Sequence, residues 1–225
     1  MRRTFTLLTI GIFVLTTSCH RYYTSSSFEQ KTAKHKTIAV LPPQIVMTGK
    51  KPRDLSEYDI AKIEETESKL FQRSLYNNIL TRANTRKYVM DVSVQPYDNT
   101  IALLESNNVS IRDAWKKSDE ELSKILGVDA IVRMSIQKER YMSDLASFGI
   151  DMGARVLNAV IPSGPFIPSI SKTNDIIASC ALVSNGETLW NDNYKRAADW
   201  NSPANSIIEN ITDKFAKHFP YKKKA

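Results

Sequence analysis

Few residues in this sequence are spaced for catalysis. The 225-residue chain holds three histidines, His20, His35 and His218, and two cysteines, Cys19 and Cys180. It contains no HExxH zinc motif, no GxSxG nucleophile turn, no phosphate-binding GxxxxGK[ST] loop and no dinucleotide-binding GxGxxG. Because the histidines are scattered, we predict no metal site and no cofactor. We also predict that the chain is not an enzyme.

Two other sets of side chains have a chemical and a structural interpretation. Glu64, Glu65 and Glu67 form a carboxylate cluster that could serve acid–base chemistry, but their helical setting favours a solvated face. Cys180 stands beside Ala181 and Leu182 in an apolar run. A nucleophilic thiol needs a neighbouring base, so we predict that Cys180 is a small buried residue.

Cys19 is the residue whose neighbours point to a chemical modification. Arg2 and Arg3 precede an apolar run over residues 5–15, and the small residues Thr16, Thr17 and Ser18 follow it. This order is typical of a secretory signal peptide, which we assign to residues 1–18. The apolar run is shorter than the roughly 20 residues that a membrane-spanning helix needs.

The five residues that end at Cys19, LTTSC, resemble the lipobox of bacterial lipoproteins. The resemblance implies that the thiol of Cys19 is acylated, so that the bilayer becomes a partner of the chain. His20 and Arg21 follow the cysteine, where an aspartate or an acidic run would direct a lipoprotein elsewhere. We therefore expect an outer-membrane protein that faces the periplasm.

The positive charge of the chain lies mainly in its ends. The net charge is +7, yet residues 37–221 are close to neutral. Residues 19–36 and 222–225 are basic, and we predict that they form a flexible tether and a basic tail. A domain that binds nucleic acid concentrates basic charge on itself, so we predict no nucleic-acid partner.

Between these ends, the hydrophobic periodicity predicts one α+β (α/β) domain over residues 37–221, with a mixed β-sheet and about three helices. Asn185-Gly186 between two apolar runs indicates a tight hairpin. Ser118 with Glu121 indicates a capping box. The predicted elements are a strand at 37–41, a loop at 44–55, a helix at 57–80, a strand at 87–94, a short helix at 108–117, a helix at 118–126, a strand at 128–137, hairpin strands at 176–183 and 188–195, and a final helix after Ser202-Pro203.

Residues 143–172 interrupt this pattern as a Gly/Pro-containing insertion. Residues 143–161 are apolar and sparsely charged, so they could cover the core, form an oligomer interface or contact a membrane. The candidate contact residues are Leu145, Phe148, Met152, Val156, Leu157, Val160 and, in a polar stretch outside the insertion, Trp200.

Three short segments, in order, resemble a known family. IAVLPP at 38–43, LGVDAIV at 126–132 and NGETLW at 185–190 are similar to segments of envelope lipoproteins with a domain like CsgG, LpoB or the N-terminal domain of TolB. The resemblance implies an anticodon-binding-domain-like fold and a non-enzymatic accessory role in envelope biogenesis or secretion, with protein partners and possible homo-oligomers. A pore-forming subunit like CsgG and a regulator of a cell-wall synthase like LpoB are the alternatives. Residues 143–161 lack the alternation of barrel strands, which argues against the pore.

Overall fold

The computed structural model describes residues 22–48, 56–83, 85–139, 175–197 and 204–225. Within these ranges the chain forms two β-sheets and six helices, which confirms the predicted α+β class. Two of the six helices, at Phe28–Thr32 and Tyr97–Ser106, were not predicted. The elements are β1 Tyr22–Thr24, α1 Phe28–Thr32, β2 Thr37–Val40, β3 Gln44–Thr48, α2 Glu57–Ala83, β4 Tyr88–Met90, β5 Ser93–Val94, α3 Tyr97–Ser106, α4 Ile111–Ala114, α5 Asp119–Leu126, β6 Ala130–Glu139, β7 Asp175–Ser184, β8 Glu187–Ala197, α6 Ala204–Lys217 and β9 Lys222–Lys224.

The main sheet is mixed, as the sequence predicts. Its strand order is β1-β8-β7-β6-β2-β5, and β3 extends the β2 side by pairing with the second half of β6. The pairs of β2 with β5, β2 with β6 and β3 with β6 are parallel, because helices connect these strands. The pairs of β6, β7, β8 and β1 are antiparallel.

Local sequence signals place α5 and the β7–β8 hairpin. The Ser118 hydroxyl accepts a hydrogen bond from the Glu121 amide at 3.2 Å, and Gly127 ends α5 with φ of +65°. Asn185 and Gly186 have φ of +50° and +72°, the values that a type I′ turn requires. A Cβ at Gly186 would also lie 2.6 Å from a carboxylate oxygen of Glu120.

The sheet is covered on both faces. Helices α2 and α6 pack on one face through Phe71, Leu75, Ile211 and Phe215, together with Trp190 from the sheet itself. Helices α3 and α5 cover part of the other face through Leu104, Leu122 and Leu126, which contact Ile131 and Val183. Trp190 is fully buried, in agreement with its predicted place in the hairpin.

Two segments differ from the sequence-based expectation. Residues 44–48 form β3 rather than part of a loop, because Ile45 is buried beside β6 despite the glycine and lysines that follow it. The strand expected at 87–94 is two short strands in different sheets: β5 joins β2, whereas β4 pairs with β9. The second pairing also means that the expected basic tail, Lys222–Lys224, is an ordered strand.

Residues 22–36, expected to belong to a flexible tether, are built onto the domain instead; we call them the anchor segment. Strand β1 pairs with β8, and the Ser25 amide donates to the Leu189 carbonyl at 2.9 Å. Phe28 is 6% exposed and packs edge-on against Tyr221. The Ser/Thr/Lys-rich composition gives no sign of this docking. Pairing through the backbone and burial of a single aromatic side chain leave no hydrophobic periodicity in the sequence.

The docked anchor segment predicts that Phe28→Ala destabilises the whole domain. Loss of a buried aromatic side chain costs about 3 to 5 kcal/mol of unfolding free energy. Urea denaturation followed by circular dichroism measures it. Glu29→Ala, at the exposed neighbouring position, is the control and should change the stability by less than about 0.5 kcal/mol. Equal stability of Phe28→Ala and the unsubstituted chain would restore the tether interpretation.

Candidate functional site

The side chains that the sequence nominates for contacts lie outside the described residues. They are Cys19, Leu145, Phe148, Met152, Val156, Leu157, Val160 and Trp200. The strands that border them are described, however, and these strands fix the points at which each segment leaves the domain. Two regions follow: the end of the main sheet and the edge formed by β1.

Three segments of the chain leave the main sheet at one of its ends. Lys138 near the end of β6 is opposite Ile176 of β7, and Asp175 of β7 is opposite Ala197 at the end of β8. Thr48 at the end of β3 is opposite Glu139. Segments 49–55, 140–174 and 198–203 therefore leave the sheet at the same end, which we call the loop end. The insertion and the segment that contains Trp200 therefore both leave the domain at the loop end.

A buried ion pair lies beneath the loop end. The Lys138 ammonium and the Glu67 carboxylate are in contact, and each side chain is 4% exposed. The Thr48 hydroxyl donates to the Lys138 carbonyl at 3.0 Å. This buried pair joins α2 to the end of β6.

The predicted solvated glutamate face is therefore wrong for two of its three members. Glu64 is buried beside Arg112, and Glu67 is buried beside Lys138, 71 residues away. Glu65 is exposed and pairs with Lys69 at 2.8 Å. Each buried carboxylate has a cation partner from another element, which the spacing within α2 could not reveal.

Among the described residues, no helix covers the half of the α5-side sheet face that lies near the loop end; we call it the open half. Helices α3 and α5 cover the half of this face near the Asn185-Gly186 turn. Ile177, 38% exposed, marks the open half. Strand alternation places exposed or half-buried side chains around it: Ser135, Gln137, Ser179, Asn193 and Lys195. This half carries mostly uncharged polar side chains and lies beside the points where the insertion and residues 198–203 leave the sheet.

A buried carboxylate lies beneath the β1 edge. Asp192 is fully buried, and its two oxygens lie 3.1 Å from the Lys214 ammonium and 2.9 Å from Nδ1 of His218. The His218 ring stacks on Tyr22 of β1, with centroids 5.0 Å apart. The carboxylate thus holds α6 against β8, and α6 holds the first described residue of the anchor segment.

The other end of the anchor segment is held by His35. Its Nδ1 lies 2.5 Å from the Tyr221 hydroxyl, and the Asp129 carboxylate accepts hydrogen bonds from the amides of Lys36 and Thr37 at 2.7 and 2.9 Å. Burial lowers the pKa of His35, and Asp129 opposes this shift only in part. Burial raises the pKa of the Tyr221 hydroxyl, and Asp129 adds to that rise. The neutral imidazole is thus the form that suits the folded chain.

These clusters hold the fold together rather than offering a reactive group. Burial raises the pKa of the Cys180 thiol, with Asp192 on the neighbouring strand as a second cause, so the thiol remains protonated and inert. Within the residues that the structure describes, no three His, Cys, Asp or Glu side chains are arranged to hold a metal ion. No described helix is long and apolar enough to cross a membrane.

The buried ion pair predicts a particular order of stabilities. Glu67→Ala removes the carboxylate that contacts the buried Lys138 ammonium and should lower the unfolding free energy by about 3 to 5 kcal/mol. Replacing both residues by Met should restore most of the loss, because both charges of the pair are removed together. Denaturant titration measures both, and the exposed Glu65→Ala is the control. A double variant less stable than Glu67→Ala would contradict this account.

The lowered pKa of His35 predicts the direction of a pH effect. The unfolded chain binds a proton at this ring more readily than the folded chain does, so the native state loses stability as pH falls through the usual histidine range. Stability should therefore fall more for the unsubstituted chain than for His35→Gln between about pH 7.5 and about pH 5. Burial acts to raise the pKa of Asp129, but the amide hydrogen bonds from Thr37 and Lys36 and the charges of His35 and Lys36 together keep it below its usual value, so Asp129 titrates below that window. Parallel stability curves for the two proteins would contradict the prediction.

Comparison with known proteins finds likeness only at the level of solved structures. Neither the models of protein families nor the curated proteins include a match to this chain. A PelC dodecamer from Paraburkholderia phytofirmans is 10% identical with a TM-score of 0.40, and the match covers 88% of this chain and 93% of that one. Lipoprotein GNA1162 from Neisseria meningitidis is 12% identical with a TM-score of 0.40, over 81% of this chain and 96% of that one. The LpoB C-terminal domain from Salmonella enterica is 7% identical with a TM-score of 0.32, over 73% and 84%. At this degree of likeness no activity, partner or assembly state transfers to the chain.

Proposed function

We propose that this chain is a non-enzymatic lipoprotein of the bacterial outer membrane that faces the periplasm. Acylated Cys19 is its anchor, and it works through protein–protein contacts as an accessory subunit of envelope biogenesis or secretion. The charged start, the apolar run and the small residues before Cys19 support the address. The inert Cys180 and the structural roles of Asp192 and His35 support a contact function rather than catalysis.

The observation that carries the proposal is the position of β1. Tyr22 is already hydrogen-bonded into the main sheet only three residues after Cys19. Three residues span at most about 10 Å of extended chain. An acyl group on Cys19 would therefore hold the β1 edge against the bilayer, rather than let the domain move on a long tether.

The direction of β1 relates the anchor to the loop end. Tyr22 is opposite Asp192 and Thr24 is opposite Trp190, so the chain enters β1 from the side on which β8 ends. Ala197 lies five residues beyond Asp192, about 17 Å along the strand. The apolar insertion and Trp200 thus leave the domain on the side from which the anchor arrives. This placement favours a role of residues 143–161 in membrane or partner contact over one in covering the core.

A pore-forming subunit like CsgG is the second candidate, for one reason. The insertion connects two strands that are paired up to their ends, so both of its ends leave the sheet side by side. An element that extends a hairpin into a membrane needs this arrangement. Conductance across planar bilayers by the purified lipidated protein would favour the pore, and its absence would favour the accessory role.

The anchor is tested by removing its thiol in cells. Cys19→Ser should move the protein from the membrane fraction to the soluble periplasmic fraction, because no acyl chain can be attached. Cys180→Ala is the matched control and should remain in the membrane fraction. Mass spectrometry of the mature protein should find an acylated Cys19 as its first residue. Membrane retention of Cys19→Ser at the level of the control would argue against the anchor.

A further inference from the structure

A cleft opens beside the β1 edge. Its volume is about 420 Å³, and Tyr22 and Glu29 of the anchor segment form one wall. Lys217 and His218 at the end of α6, with Tyr88 of β4 and Lys222 of β9, form the other. We call it the basic cleft. It exists only because the anchor segment and the basic tail are both docked, so neither the composition nor the order of elements predicts it.

The positive charge of the basic cleft is concentrated. The Lys222 ammonium donates to the Lys217 carbonyl and lies 5.1 Å from the centre of the Tyr88 ring, with the Lys87 ammonium 5.5 Å from the same ring. Partial burial lowers the pKa of Lys222, and the charges of Arg82 and Lys217 lower it further against the opposing effect of Asp213. Lysines that repel one another in this way gain free energy when an anion lies between them.

The nearby carboxylates neutralise this charge only in part. Asp213 pairs with Arg82, and Asp91 pairs with Lys223 at 2.8 Å. Among the cleft-lining residues named above, Glu29 is the carboxylate, and it faces Lys217, Lys222 and His218. With two lysines against one carboxylate, the lining retains a net positive charge.

The basic cleft also lies close to the proposed anchor along the chain, because Tyr22 lines it and stands three residues after Cys19. We propose that the basic cleft binds the anionic headgroups of the bilayer to which Cys19 attaches the chain. The inference rests on the proposed function for the presence of that bilayer. A single acyl chain gives only reversible membrane binding, and a basic surface beside it makes the binding stable. The two contacts together also fix the orientation of the domain on the bilayer.

The test uses the mature chain from residue 19 with Cys19→Ser, so that no acyl group contributes. The measurement is co-sedimentation with vesicles of phosphatidylcholine alone, and with vesicles of equal parts phosphatidylcholine and phosphatidylglycerol. We expect binding to the anionic vesicles that weakens as salt rises from about 0.01 M to about 1 M. Neutral vesicles should bind much less. Equal binding to both kinds of vesicle would overturn the proposal.

The location of the site is tested by two variants of equal net charge. Lys217→Gln with Lys222→Gln should weaken binding roughly 25-fold, about fivefold for each lysine removed from the surface. Lys116→Gln with Lys124→Gln removes the same charge from exposed positions on the α4–α5 side and should weaken it less than about twofold. Thermal unfolding verifies that both variants fold.

An equal loss in the two double variants, or no loss in the first, would overturn the assignment of the site. The proposed function is tested by a different measurement, because it requires that Cys19 be acylated in cells. Acylation without selective vesicle binding removes the cleft proposal only, and vesicle binding without acylation removes the anchor only.

Discussion

The pairing of β1 with β8 is the constraint on which the rest of the structure depends. Three residues, Tyr22–Thr24, connect the start of the described chain to the edge of the main sheet. The buried carboxylate of Asp192 supports this pairing, because it contacts both Lys214 and His218. The His218 ring in turn stacks on Tyr22 of β1. A short strand of this kind is stable only because tertiary contacts support its backbone hydrogen bonds. The anchor segment, the basic cleft and the orientation of the domain all follow from it.

The antiparallel half of the sheet has a second consequence. Because β6, β7 and β8 pair over nearly their whole length, the connections at one end collect on a single side of the domain. The Asn185-Gly186 turn occupies the opposite end, where α5 packs against the sheet. The sheet therefore has one end that α5 covers and an opposite end, the loop end, at which the insertion leaves the domain. The buried ion pair of Glu67 and Lys138 lies where the core meets the loop end.

The sequence predicts those parts of the fold that depend on local rules. The Asn185-Gly186 turn, the Ser118 cap and the long helix α2 depend on neighbours within a few residues. The docking of residues 22–36, the ordering of Lys222–Lys224 and the burial of Glu67 each depend on a distant partner, and these were missed. The same distinction holds for the candidate site. Cys19 is a candidate that its sequence neighbours predict, whereas the basic cleft is formed by residues 22–29, 88 and 217–222, which lie far apart in the sequence.

We propose that a short anchor holds the β1 edge against the bilayer. The most direct measurement places a nitroxide label at Tyr23→Cys, which is 54% exposed on β1, or at Lys116→Cys beyond α4, in the lipidated protein on vesicles. Collision with a water-soluble relaxation agent and with oxygen reports the depth of each label. The account predicts that the label at position 23 is protected from the aqueous agent and exposed to oxygen, while the label at position 116 behaves as in solution. Equal aqueous accessibility at both positions would contradict it.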